Sequence, residues 1–224
     1  MFDSIINLLI KGFEGLHNLV FKVIPNVNLS YGLTIILAII IIKLITLPLN
    51  IKQVKTTKIL QKIQPEMKKI QAKYKSDPQK QQQQILQLYK DYKINPLSGC
   101  LPSLIQLPIL LIFFQLFLRL PGIHENTISF LWIPNLAAKD PYFILPILAV
   151  LTGYLQGKLS IPVSEDNEAQ AQQNRVMNIV LSVMLGVFTI SVSSAVGIYY
   201  VFSNIISIIV SLVINKVVLK EDKA

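Results

Sequence analysis

Five apolar segments, Tyr31 to Leu49, Leu101 to Leu118, Tyr142 to Leu159, Val176 to Val192 and Ala195 to Ile214, are each long enough to cross a bilayer as a helix, allowing for tilt and short interfacial ends. Hydrocarbon offers the backbone no hydrogen-bond partner, so a segment that enters it must satisfy its own N–H and C=O groups, and a single stretch does so as an α-helix. The sequence therefore predicts an all-α integral membrane protein built as a five-transmembrane-helix bundle. Composition agrees, since 52% of the 224 residues are hydrophobic and the mean hydropathy is +0.54. Only Ser193-Ser194 separates the fourth segment from the fifth, which predicts a tight hairpin, and an odd number of spans puts the two ends on opposite sides.

Charge assigns the sides. The formal net charge is +9, and 11 of the 21 Lys and Arg fall between residues 52 and 93, with only Glu66, Asp77 and Asp91 against them. This short segment adjoins the first two spans, so the positive-inside rule makes it cytoplasmic. Residues 119–141 are then an extracytoplasmic loop, 160–175 a cytoplasmic loop and 215–224 a cytoplasmic tail. Residues 1–24 lie outside. There Phe2, Ile5, Ile6, Leu9, Phe13, Leu16 and Val20 recur at helical spacing opposite Asp3, Asn7, Lys11, Glu14 and Asn18, the pattern of an amphipathic helix lying in the membrane interface. Pro25 ends it.

Residues 52–93 are more than a run of charge. Leu60, Ile63, Met67, Ile70 and Tyr74 form one apolar stripe, and Ile85, Leu88 and Tyr92 a second. Ser76-Asp77-Pro78 separates them, with Asp77 placed to cap the second helix and Pro78 at its first position. The spacing predicts a basic helical hairpin, kinked or restarted at Pro65, with lysines such as Lys55, Lys58, Lys62, Lys69 and Lys73 turned to water and phosphate, where they would recruit incoming polypeptide or its delivery machinery.

Lys43 lies inside the first span, where a lone cation costs about 2.5 to 3.5 kcal/mol. Two readings compete: the ammonium snorkels toward the headgroups, or it faces a wet space between helices. Thr34 and Thr46, Gln106 and Gln115, Gln156, Asn178 and Ser182, and Asn204 spread polar groups over all five spans and favour a polar interior. Pro108 can kink the second span. No phosphate-binding loop, nucleophile elbow or zinc-protease motif occurs, Cys100 is the only cysteine, and His17 and His124 have no ligand-spaced partner. We therefore expect no catalytic residue, no metal and no cofactor. A small-solute transporter or channel would also scatter polar residues among helices, but predicts an internal repeat, and none is visible. A membrane-anchored protein that binds through its basic hairpin is a third possibility.

Leu47-Pro48-Leu49, Gln64-Pro65-Glu66, Leu88-Tyr89-Lys90, Asn95-Pro96-Leu97-Ser98-Gly99-Cys100-Leu101-Pro102 and Ile105-Gln106-Leu107-Pro108-Ile109 closely resemble the YidC/Oxa/Alb family of membrane protein insertases. Leu145-Pro146-Ile147-Leu148 and Tyr199-Tyr200-Val201-Phe202-Ser203-Asn204 resemble it too. The resemblance implies five spans around a polar groove, open to cytoplasm and lipid and closed outside, in a bacterial cytoplasmic membrane. It also implies insertion and folding of small membrane proteins without nucleotide hydrolysis, alone or beside the Sec translocon, with the ribosome and signal recognition particle receptor as further partners and no specific nucleic-acid sequence. Lys43 stands where bacterial members usually carry Arg, and Gln156 and Tyr200 are expected to line the groove with Lys43, Thr46, Gln106 and Asn204. A cation in such a groove points to substrates with short acidic translocated segments.

Overall fold

The computed structural model describes residues 2–95, 101–120, 123, 128–160 and 168–221. Eight helices are described: α1 (Phe2–Val23), α2 (Val27–Ile45), α3 (Leu47–Lys73), α4 (Pro78–Asp91), α5 (Leu101–Arg119), α6 (Ile144–Ser160), α7 (Glu168–Ser191) and α8 (Ser194–Glu221). An isolated bridge between Phe130 and Ile133 is the one β contact among the described residues. The protein is all-helical. Val27–Ile45, Ala171–Ser191 and Ser194–Lys216 are long and apolar enough to cross a membrane, and Pro108–Arg119 and Ile144–Ser160 are shorter apolar helices. The Pro96-to-Cys100 part of the family-like motif, His124 and Lys223 lie outside the described residues.

Local chemistry sets the helix ends. Asn26 precedes α2 in extended conformation and its side-chain oxygen accepts from Leu29 N at 3.1 Å, satisfying one of the free first-turn donors. At the other end α2 passes into α3 with a one-residue break at Thr46, because Pro48 in the first turn of α3 has no N–H to donate back. Lys43 consequently sits in the last turn of α2. Asp77 caps α4, accepting from Lys80 N at 3.0 Å, with Pro78 first in the helix.

The main core joins α1, α2, α5, α6, α8 and the α5–α6 connection, around Phe13, Ile35, Ile39, Phe117, Leu120, Ile133, Leu136, Ala149 and Tyr199. Helix α1 buries Ile6 and Phe13 and leaves Leu8, Leu19 and Val23 exposed. Gly32 on α2 lets the Phe130 ring lie where a Cβ would be. The connection also holds the α7–α8 turn. Ser194 donates to Ala138 O from both N (2.7 Å) and Oγ (2.8 Å), and Ala195 N donates to Leu136 O at 3.0 Å. The connection is itself held by Asp140, whose carboxylate accepts from Leu145 N at 2.6 Å, Tyr142 N at 3.2 Å and Trp132 Nε1 at 3.3 Å.

Two expectations need correction. Although the turn between α7 and α8 is tight, the two helices diverge from it, and α6 packs extensively on both. Gly157 of α6 explains the closeness of α6 to α7, since Asn178 occupies the place of its missing Cβ. In the α3–α4 hairpin the second core comprises Ile63, Leu88 and Ile94, with Tyr89 rather than Tyr92 packed against it. Tyr92 is exposed and its hydroxyl instead donates to Glu66 Oε1 at 2.7 Å. Tyr89 packs because its hydroxyl finds Met67 Sδ at 3.6 Å, an apolar-side partner that spares it from reaching water.

Candidate functional site

The polar side chains of the apolar helices gather along α8. Tyr199, Ser203, Ser207, Ser211 and Asn215 recur every fourth residue. Such a row winds about 40° around the helix axis per step, so its members meet different neighbours. Tyr199 accepts from Gln106 Nε2 of α5 at 2.9 Å and stacks on Phe113, ring centroids 4.2 Å apart. Ser203 hydrogen-bonds Tyr199 and is buried. Ser207 Oγ accepts from Lys43 Nζ of α2 at 2.8 Å. Asn215 O accepts from Lys58 Nζ of α3 at 3.5 Å.

The Lys43 contact bears on the snorkelling reading of that residue. Ser207 lies nine residues before Lys216, or about 14 Å along α8 at the helical rise. The ammonium is thus held beside the middle of α8 and not drawn to its charged end. No Asp or Glu occurs in segments 27–45, 101–119, 144–160, 171–191 or 194–216. The partner of the cation is a neutral hydroxyl.

A second polar group faces α6. Asn204 Nδ2 donates to Thr152 Oγ1 at 3.3 Å, and Tyr200 hydrogen-bonds Asn204. The Tyr200 hydroxyl, Ser182 and Asn204 converge on Gly153, where a side chain would crowd them. Ser182 donates to Asn178 O at 2.7 Å, and Asn178 Nδ2 to Tyr154 O at 3.0 Å. These groups satisfy one another.

The remaining sequence candidates are placed differently. Thr46 returns its hydroxyl to Ile42 O (2.9 Å) and Lys43 O (3.3 Å) of its own helix, and Thr34 does the same with Ser30 O at 2.6 Å. Gln156 donates to Ser160 Oγ at 3.0 Å, while its Oε1 is buried with no hydrogen-bond partner among the described residues. Of the hairpin lysines, Lys62, Lys69 and Lys73 are exposed, Lys73 lying 5.4 Å from the Tyr74 ring centroid. Lys55 is exposed as well and has a partner, and Lys58, partly exposed, reaches α8. Hydrogen bonding to Glu66, with burial and nearby negative charge adding to it, pushes the Tyr92 phenol above its ordinary range; burial alone does so for Tyr89. No group of three or more His, Cys, Asp or Glu able to hold a metal occurs among the described residues.

Ser207 was not singled out from the sequence, and Tyr199 and Ser203 entered only as members of the family-like motif. Their every-fourth-residue recurrence was the available signal, but Ser is common in membrane helices and unremarkable one residue at a time.

Comparison with known proteins places this arrangement in context. Residues 23–222 match the family described as 60Kd inner membrane protein. The chain is 42% identical over 200 residues to membrane protein insertase YidC of Clostridium tetani, covering 89% of this chain and 88% of that protein. It is 41% identical over 210 residues to membrane protein insertase YidC of Clostridium perfringens, covering 92% and 87%. Membrane protein insertase MisCA of Bacillus subtilis is 42% identical over 183 residues, covering 80% of this chain and 68% of that protein.

Proposed function

The chain belongs to the 60Kd inner membrane protein family, and from that membership we propose that it is a membrane protein insertase using Lys43 to draw acidic translocated segments into a polar groove. The observation that carries the reading is the Lys43–Ser207 contact: a cation held among apolar helices by a hydroxyl, with no carboxylate in their apolar segments to cancel it. An intramembrane charge without an internal counterion is expensive and is retained where something charged must be met.

In this reading α2, α5, α6, α7 and α8 are five spans, and the groove lies where α8 faces α2 and α5, with Gln106, Tyr199, Ser203 and Ser207 along it. Thr46, Gln156, Tyr200 and Asn204 border the same interior. The α5–α6 connection, tied to the α7–α8 turn, closes the extracytoplasmic end. Positive-inside bias puts the α3–α4 hairpin and the C-terminal end of α8 in the cytoplasm, and α1 in the outer interface of a bacterial cytoplasmic membrane.

The exposed hairpin lysines, Lys62, Lys69 and Lys73, with Lys55 and Lys58 nearer the membrane, meet the incoming chain or the machinery that delivers it. Ribosome, signal recognition particle receptor and Sec translocon are the candidates. The groove then hydrates the polar terminus of the substrate while Lys43 attracts its carboxylates. Partition of the substrate's apolar segment into lipid, worth about 25 cal/mol per Å2 buried, drives the step without nucleotide.

The test is insertion of an acidic-tailed single-span protein into proteoliposomes. Lys43→Glu should abolish it and Lys43→Arg should retain it, since Arg keeps the charge and adds a bidentate fork. Undiminished insertion by Lys43→Glu overturns the reading.

A further inference from the structure

We propose that Ser207 is the positioning residue for the Lys43 cation: its hydroxyl holds the ammonium at the middle of α8 and releases it to an arriving carboxylate, which sets the preference for acidic substrates. The inference rests on the function proposed above and concerns how the charge is kept available.

Position comes first. Lys43 is in the last turn of α2, and the residues that follow open directly into the basic hairpin. A four-carbon stem there is free to extend toward the headgroups, where hydration of the ammonium is better. The 2.8 Å bond to Ser207 fastens it instead to the middle of α8. Thr46, the nearest hydroxyl in the chain, points its proton at the carbonyls of Ile42 and Lys43 and belongs to the backbone of its own helix.

The choice of partner comes next. A carboxylate at position 207 would hold the ammonium more strongly than a hydroxyl does, but would cancel its charge and leave nothing to attract a substrate. A hydroxyl offers a charge-assisted bond that offsets part of the desolvation and leaves the full positive charge. An arriving Asp or Glu replaces it with an ion pair, so exchange is downhill for acidic tails and absent for neutral ones. Alanine at this position would leave Lys43 unrestrained, free to swing to the surface.

The experiment compares two versions of one single-span substrate, with either two Asp or two Asn in the translocated tail, inserted by full-length protein in proteoliposomes. The readout is the ratio of acidic to neutral insertion, with the thermal midpoint of each variant in detergent as control. Ser207→Ala should lower the ratio about tenfold, the scale of one lost hydrogen bond to a charged group, with the thermal midpoint little changed. Ser207→Thr, which keeps the hydroxyl, should preserve the ratio, and Ser207→Asp should reduce it to the Lys43→Ala level. If Ser207→Ala keeps the wild-type ratio while Lys43→Ala loses it, or lowers both substrates alike, the positioning role is wrong and the proposed function stands. If Lys43→Ala itself leaves the ratio unchanged, the charge reading beneath both fails. Should Ser207→Ala not fold, the Thr and Asp variants decide: a lost ratio in the first or a preserved ratio in the second overturns the proposal.

Discussion

Helix α8 makes polar contacts on two sides, and they differ in kind. Toward α6, Tyr200, Asn204 and Thr152 form neutral hydrogen bonds, beside Ser182 and Asn178 of α7, in a region where Gly153 and Gly157 allow the helices to approach closely. Toward α2 and α5, Ser207 and Tyr199 meet Lys43 and Gln106, and one of those partners carries a full charge with no counterion in the apolar segments. The first side closes on itself, as interhelical polar contacts do when they hold a bundle together. The second leaves a charge unanswered. Polarity inside a membrane protein is therefore not one signal, and whether the groups cancel locally separates packing from function.

Replacing Lys43 by Leu tests this separation most severely. Insertion of acidic-tailed substrate should fall by about 30-fold or more, on the scale of removing one member of a close charge pair. Stability should move the other way, because the variant removes a charge that costs about 2.5 to 3.5 kcal/mol to place in a span. A thermal midpoint in detergent that drops instead would make Lys43 a packing residue and erase the difference between the two sides.

The complementary change is Gly157→Val. Its branched side chain would enter the space of Asn178, against the bond from Asn178 to Tyr154 O. Overpacking of this kind costs about 1 to 3 kcal/mol, read as a lower thermal midpoint, while the acidic-to-neutral insertion ratio of the protein that remains folded should not change. A milder version is Thr152→Val, which deletes the acceptor of Asn204. An average interhelical hydrogen bond in a membrane is worth about 0.6 kcal/mol, so the midpoint should fall slightly and the ratio again stay fixed. A shifted ratio in either variant would mean that the α6 side takes part in substrate selection.

The sequence made some of this visible and hid the rest for a physical reason. Helix α2, the Asp77-Pro78 start of α4 and the oddity of Lys43 are properties of contiguous residues, and apolar length, capping chemistry and charge cost are all local. Ser207 is 164 positions from Lys43, and nothing near either residue specifies the other. The same holds for α6, whose close packing on α7 depends on Gly157 and Gly186 each accepting a side chain from the other helix. Asp140 went unnoticed because an acidic residue in a connection resembles a solvated one until its three donors are seen converging on it. In the hairpin, spacing alone could not choose between Tyr89 and Tyr92, three residues apart on adjacent faces.

A smaller contrast lies at the α1–α2 contact, where His17 repeats the partner chemistry of Lys43 with a group that can shed its charge. Ser30 Oγ lies 3.0 Å from His17 Nε2 and 3.0 Å from Val27 O, within hydrogen-bond reach of both. The ring also lies 4.2 Å from the Tyr31 ring, centroid to centroid. Burial lowers the His17 pKa below its ordinary value of 6.5. The docked helix therefore resists a proton that the undocked one accepts, so docking gains from higher pH and weakens as pH falls below about 6.5, levelling off once the docked form is protonated as well. The protection of α1 amides from exchange, taken relative to the intrinsic exchange rate at each pH, should fall between neutral pH and pH 5, and His17→Phe should flatten that dependence while keeping the ring contact. A fall in protection that persists in His17→Phe would show that His17 is not its source.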